Sequence, residues 1–286
     1  MLASGILGLT GLTLKRVVDA GAGAVVTKSV GPCEREGYPN PTVVEVECGF
    51  LNAVGLPNAG IRHFRKEISE TKTLGVPIIV SIYGFTPHEF AEVGAAAVEA
   101  GAAALELNVS CPHVKNTGSE IGQTPRLVRD VVRAVKSRVD KPVLVKLTPN
   151  VTDITKVAKA AAAAGADAIT AINTVRAMVI DIETTRPILA NKFGGLSGVG
   201  IKPIAVRCVY EVSREVEIPV IGCGGIGTWQ DAVEFMLAGA SAVQIGTAIA
   251  FNGFEVFKSV RKGIKTYLER KGFRSVTEIV GLSQSK

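Results

Sequence analysis

The sequence predicts an α/β protein, a single (β/α)8 TIM barrel over residues 1–286, and three observations carry that expectation. A near-repeat comes first. Ala20-Gly21-Ala22-Gly23-Ala24, Ala100-Gly101-Ala102-Ala103-Ala104, Ala164-Gly165-Ala166-Asp167-Ala168 and Ala238-Gly239-Ala240-Ser241-Ala242 each lead into a short apolar run. Helix end, glycine cap, tight turn and buried strand make an αβ connection, and four copies argue for a barrel or a doubly wound sheet. Second, 286 residues with 47% hydrophobic content suit one barrel, and no linker, charge block or low-complexity stretch divides the chain. Third, polar residues gather where the apolar runs end.

In chain order, strands are expected at 24–27, 77–82, 104–109, 142–147, 168–172, 219–221 and 242–245, with amphipathic helices between most of them. Met1-Leu2 reads as the stub of an eighth. That stub is short for a barrel position, so either upstream residues are absent from this polypeptide or the barrel bottom is covered in another way. The strand ends carry Ser4, then Lys28 and Ser29, Asn108 with Cys111, Lys146, Asn173 with Thr174, Gly224-Gly225, and Gly246-Thr247. In a (β/α)8 barrel these positions share one rim, where active sites of this fold sit. Any one could be a cap or a surface group; their convergence is what argues for a site.

Charge and cysteines narrow the function class. The net charge of +6 is spread over helical stretches such as 126–136 and 258–271. These read as solvated faces rather than a nucleic-acid footprint, and the positive field suits an anionic small substrate. No apolar run is long enough to span a bilayer, and the N-terminus lacks a signal-peptide pattern, so a cytoplasmic, non-membrane protein is expected. Cys33, Cys48, Cys111, Cys208 and Cys223 show no metal-like Cys-x-x-Cys spacing. They fit free thiols in a reducing compartment, and no metal site is readable.

Cys111 is the chemical focus. It follows Leu105-Glu106-Leu107-Asn108-Val109-Ser110 and precedes Pro112, so an apolar strand delivers polar groups and a thiol to a turn. A buried structural cysteine is the plain alternative, but a strand-end thiol beside Asn108 and Ser110 suits a base acting on an oriented substrate. Gly222-Cys223-Gly224-Gly225 before a helix starting near Thr228, with Gly246-Thr247 after the last strand, can converge backbone N–H groups on an anion. Gly194-Gly195-Leu196-Ser197-Gly198 offers a third arm. Flavin mononucleotide or a sugar phosphate would fit, whereas no early GxGxxG word supports direct NAD binding. Lys146 should point into the barrel mouth, where a cation near a flavin's pyrimidine edge stabilises the reduced ring. Snorkelling, or a Schiff-base role for Lys146 or Lys28, are the alternatives, and the latter would leave Cys111 unused. Cys33, Cys48 and Cys208 read as structural, and Cys223 as lining the phosphate loop through its backbone.

Asn108-Val109-Ser110-Cys111-Pro112, Thr27-Lys28-Ser29, Asn52-Ala53-Val54-Gly55-Leu56-Pro57-Asn58, Val145-Lys146-Leu147-Thr148-Pro149, Ile172-Asn173-Thr174, Gly194 to Gly198 and Gly246-Thr247 together resemble the class 1 dihydroorotate dehydrogenases. The likeness covers nearly the whole chain. Val114-Lys115-Asn116-Thr117-Gly118 is most similar to class 1B. The resemblance implies an FMN-binding barrel with β-hairpins inserted at the active-site rim, oxidising dihydroorotate to orotate in pyrimidine synthesis. Cys111 would remove the C5 proton while hydride leaves C6. Ser4, Lys28, Ser29, Asn108, Lys146, Ile172, Gly198, Gly224, Gly225, Gly246 and Thr247 would hold the cofactor. Lys28, Asn52, Ala53, Val54, Gly55, Leu56, Asn108, Asn173 and Thr174 would hold the substrate, the turn at Gly55 receiving its carboxylate. It further implies a partner subunit carrying FAD and an iron–sulfur cluster, around a homodimer core of a heterotetramer.

Two departures stand out. His113 occupies the place where the family usually has Asn, as in flavin domains of dihydropyrimidine dehydrogenases, and the short start omits the strand and hairpin that usually close the barrel floor. A uracil-reducing enzyme is therefore an alternative, opposed by the 52–58 turn, because uracil has no carboxylate. A non-catalytic flavin-binding barrel is another; it would not need Cys111.

Overall fold

The computed structural model describes residues 1–109 and 118–284. Seven parallel strands form one sheet in the order Val25–Val26, Ile78–Ile82, Ala104–Asn108, Val143–Leu147, Ala168–Ala171, Val220–Cys223, Ala240–Gln244. The Met1-Leu2 stub does join them. Leu2 makes parallel bridges to Val25 at one edge of the sheet and to Ile245 at the other. Its N–H donates to the Ala24 carbonyl at 3.1 Å, and the Ile245 N–H donates to the Met1 carbonyl at 2.9 Å. Closing a barrel edge needs paired backbone groups rather than length, and a few residues supply them here. Boundaries move slightly from expectation: the sixth strand runs on to Cys223 and the seventh begins at Ala240.

Strand alternation sorts the core into two bodies. Val25, Ile78, Val80, Leu105, Leu107, Val143, Val145, Ile169 and Val243 point outward and pack under the helices. Val26, Ile79, Ala104, Leu144, Ala168 and Ile221 point inward and fill the lower barrel. Each fully buried aliphatic side chain contributes about 1.5–3 kcal/mol, so the outer layer dominates stability. The helices are set by local signals. Thr86 and Thr228 cap Pro87–Ala100 and Trp229–Leu237, the latter through a capping box with Asp231, and Asp153 caps Ile154–Ala163. Gly101 ends Pro87–Ala100 in the left-handed conformation that the repeated Ala-Gly words predict.

The rim carries the inserted hairpins. Val175–Ala177, Gly194–Ser197, Gly49–Asn52 and Val43–Val46 make an antiparallel sheet in that order, and Ile180–Asp181 pairs with Arg186–Pro187. Residues 194–197, expected as a loop arm, are thus a strand, and the chain turns toward the barrel mouth at Gly198 and the short helical turn Val199–Ile201. The glycine-rich word pairs because Asn52, Leu51 and Phe50 offer it an edge. No described helix is long and apolar enough to cross a membrane.

Candidate functional site

A cavity of about 780 Å³ opens at the C-terminal ends of the strands. It is lined by every expected binding residue except Ala53: Ser4, Lys28, Ser29, Asn52, Val54, Gly55, Leu56, Asn108, Lys146, Ile172, Asn173, Thr174, Gly198, Gly224, Gly225, Gly246 and Thr247. Ala53 faces away. Its side chain packs with Leu51 and Leu189, and its N–H is taken by the Thr42 carbonyl at 2.7 Å. Cys111, with Ser110 and Pro112 through Thr117, lies outside the described residues. The strand that leads to it ends at Asn108, on the cavity wall.

One wall is a run of hydrogen bonds between strand ends. The Asn108 amide donates to Ser29 Oγ at 2.9 Å, Ser29 Oγ lies 2.8 Å from Ser81 Oγ and 3.5 Å from Ser4 Oγ, and the Asn173 amide donates to Asn108 Oδ1 at 3.4 Å. Amides held at both ends cannot rotate freely, which suits recognition of a planar ring with fixed donors and acceptors. Lys28 reaches the same side, its Nζ donating to the Gly5 carbonyl at 3.3 Å.

The turn after Gly49–Asn52 is braced from behind. Arg35 Nε donates to the Gly55 carbonyl at 2.7 Å, and the Tyr38 N–H to the Val54 carbonyl at 3.1 Å. Gly55 and Leu56 both have positive φ, 79° and 59°. A Cβ on Gly55 would sit 2.7 Å from Tyr38, so only glycine fits. With the carbonyls tied back, the N–H groups of Val54, Gly55 and Leu56 have no acceptor among the described residues, which is how a backbone anion nest is made.

Opposite, the loops after the last two strands meet. Gly225 has φ +77°, and a Cβ there would fall 2.7 Å from Lys202 Cβ and 2.9 Å from the Gly198 carbonyl. The N–H groups of Gly225 and Thr247 have no acceptor among the described residues, and Thr247 Oγ1 donates to Ser197 Oγ at 2.8 Å. Lys202, nearby, is tied to Asp231 at 2.8 Å and Glu234 at 2.9 Å, and those bonds, Asp231's foremost, raise its pKa. An anion here would therefore be held by backbone dipoles rather than by that lysine.

Lys146 forms the floor. It is 5% exposed, with Nζ 3.8 Å from Glu106 Oε1 and 3.5 Å from Gln244 Oε1. Burial works against its charge, but Cys223 and Glu106 beside it outweigh that and hold its pKa above the ordinary lysine value. Burial pushes the Cys223 thiol up, so near neutral pH it stays uncharged beside Lys146. Cys223 thus faces the barrel interior through its side chain, not only the loop through its backbone. Cys48, expected to be structural, lines the cavity, while Cys208 lies on the buried face of the helix Lys202–Ser213, its thiol pushed up to about 11 by burial.

The donor set fits a flavin mononucleotide: backbone N–H groups for a phosphate, a cation on the floor and amides on one wall. The family model described as dihydroorotate dehydrogenase matches residues 1–268. The chain belongs to the dihydroorotate dehydrogenase family. It is 57% identical over 284 residues to the dihydroorotate dehydrogenase B (NAD(+)) catalytic subunit of Pyrococcus furiosus, covering 99% of this chain and 94% of that one. It is 52% identical over 285 residues to the subunit of the same name from Methanosarcina acetivorans, covering 99% and 91%. A crystal structure of the enzyme from Eimeria tenella in complex with ferulenol superposes with a TM-score of 0.87 at 22% identity, covering all of this chain and 85% of that one, which establishes the fold. Membership makes this a flavin-dependent oxidoreductase.

Sequence reasoning missed several residues of this dihydroorotate dehydrogenase site. Ser81 links the serine wall and Phe50 stacks on Phe251 with ring centroids 5.2 Å apart beside the mouth, while Ser197, named only within the 194–198 arm, meets Thr247. Gln244 lines the cavity floor, and Glu106 lies beneath it. Only Glu106 carried a signal, a charge between Leu105 and Leu107 in an apolar strand.

Proposed function

We propose that this chain is the catalytic subunit of a class 1B dihydroorotate dehydrogenase, oxidising dihydroorotate to orotate in pyrimidine synthesis with FMN in the cavity. The whole of 1–286 would act as one FMN-binding barrel domain in the cytoplasm. The observation that carries the reading is the pairing of two anion-ready backbone sites across one cavity, at 54–56 and at 225/247, with a cation on the floor between strands. One suits the substrate carboxylate and the other the cofactor phosphate.

When bound, FMN supplies the two-electron acceptor for the hydride that leaves C6. Cys111 takes the C5 proton as thiolate, so the C5–C6 bond becomes double as one hydrogen departs as a proton and the other with its electron pair. A thiol with an ordinary pKa near 8.5 is a usable base at neutral pH when cations lie close. Asn52, Asn108, Asn173 and Thr174 would bind the ring edges, and Lys28 would contact both ring systems. Ser4, Ser29, Ile172 and Gly198 would border the flavin, with Lys146 near its pyrimidine edge, and Gly224, Gly225, Gly246 and Thr247 would take the phosphate. A partner subunit carrying FAD and an iron–sulfur cluster, docked on a homodimer core of a heterotetramer, would receive the electrons.

Anaerobic addition of dihydroorotate should bleach the bound flavin of the purified chain, and Cys111→Ser should retain the flavin but lose most of that bleaching rate. Orotate should perturb the flavin spectrum where uracil does not. A preference for uracil would move the chain to dihydropyrimidine chemistry, and a colourless protein that cannot be loaded with FMN would sink the reading.

A further inference from the structure

At the base of the cavity, Glu106, Thr170 and Gln244 come from alternate strands of the barrel and meet in one layer, the arrangement this fold imposes on inward-facing side chains. All three are at most 1% exposed. One carboxylate oxygen of Glu106 is doubly held: Gln244 Nε2 donates to Oε2 at 2.6 Å and Thr170 Oγ1 at 2.9 Å. The other, Oε1, has no hydrogen-bond partner among the described residues and faces Lys146 Nζ at 3.8 Å. A buried charge left in that state is costly unless an opposite charge sits close, and Lys146 is that charge.

Glu106 acts on Lys146 a second time. Because the carboxylate accepts from the Gln244 amide nitrogen, the amide oxygen is turned the other way, toward Lys146 at 3.5 Å. The opposite orientation would set oxygen against oxygen. Among the described residues, the charged or titratable groups around Lys146 are Glu106 and Cys223, and the Met1 amino group, pulled down to about 6 by burial, lies beyond Cys223. Of these, Glu106 is the carboxylate within ion-pair reach of Lys146.

We propose that Glu106 is a positioning residue for the flavin: by its charge, and through the amide of Gln244 that it orients, it keeps Lys146 an ammonium directed at the cavity floor through neutral and alkaline pH. This rests on the flavin reading above. Its consequence is a reduction potential that does not change its proton stoichiometry over that range, because Lys146 carries its proton whether the flavin is oxidised or reduced.

The test is the flavin reduction potential of the holoprotein measured against pH from 6.5 to 9.5, for wild type, Glu106→Gln, Lys146→Met and the double variant. Absence of bound flavin in wild type would sink the functional reading; the inference is judged only among proteins that hold flavin. Wild type should give one straight line. Glu106→Gln, which keeps the shape but lacks the charge, should bend, with one further proton taken up per two electrons above the bend, and the double variant should lose the bend. A Glu106→Gln line parallel to wild type, or a bend that persists without Lys146, overturns the proposal. If Glu106→Gln does not fold, thermal unfolding of Lys146→Met against the double variant decides. The single variant strands a buried carboxylate, so the double should melt higher, and an equal or lower melting temperature of the double overturns the pairing.

Discussion

Inside the barrel, inward-facing side chains one step apart along each strand form two rings, staggered so that Glu106 stands in register with Leu144, and the two are chemical opposites. The lower ring is Ile79, Ala104, Leu144, Ala168 and Ile221; two residues further along the same strands come Ser81, Glu106, Lys146, Thr170 and Cys223. Strand geometry is the same in both, since every second residue points inward. What differs is the job. The lower ring gains by excluding water, while the upper ring accepts the cost of buried polar groups and recovers it by pairing them. A barrel can therefore change from core to site within about 7 Å of strand, two residues at the usual rise.

The sharpest way to break that comparison is to move polarity down a step. Leu144→Asp places a carboxylate among aliphatic neighbours without the donors Glu106 enjoys, and soluble folded protein should be lost; recovery of a cooperatively folded variant would show the lower ring to be wetter than its packing implies. Leu144→Ala should fold but cost about 2–5 kcal/mol in chemical denaturation. In the upper ring, Thr170→Val leaves Glu106 one donor short and should cost about 1–3 kcal/mol, more than its nearly unchanged volume explains. A neutral result there would mean that Gln244 alone satisfies the carboxylate.

Smaller effects belong outside the barrel. Thr228→Ala removes the cap of Trp229–Leu237 and should cost about 1 kcal/mol. Asp231 shares that cap. Burial works to raise its pKa, but hydrogen bonds from Lys202, Gly227 and Thr228 outweigh this and leave it below the ordinary 3.8. A depressed folded pKa stabilises above the unfolded value and is lost as pH falls through the folded one. The stability gap between wild type and Asp231→Asn should therefore be constant near neutrality and shrink below about pH 4; a gap that widens in acid would reverse the assignment. The exposed pair Lys15–Asp19 should contribute least, with Asp19→Ala shifting stability by under about 0.5 kcal/mol.

Much of the upper ring's surroundings was legible because each rim residue follows an apolar run that names its own strand. Lys146, Asn108, Asn173 and the two glycine loops could be placed that way. Gln244 and Thr170 could not, since which residues share a layer depends on the tilt and stagger of the closed barrel, not on spacing along the chain. Residues 194–197 misled for a related reason: glycines read as a loop, and the strand partner that orders them is an insertion some 145 positions earlier. Ala53 shows the limit of a motif read as a block, because alternate residues of an extended segment face opposite ways and the middle of a binding word can serve the core behind it.

The bridges from Leu2 to Val25 and Ile245 also set an order of events. Nothing made early in synthesis can complete the ring, because the backbone that Leu2 must meet on one side is among the last tenths of the chain to appear. Contacts so distant in sequence form slowly, and until they form the sheet keeps two open edges. The wall residue Ser4 and the loop at Thr247 flank that same seam, so a ligand held between them adds contacts across the last part of the ring to close.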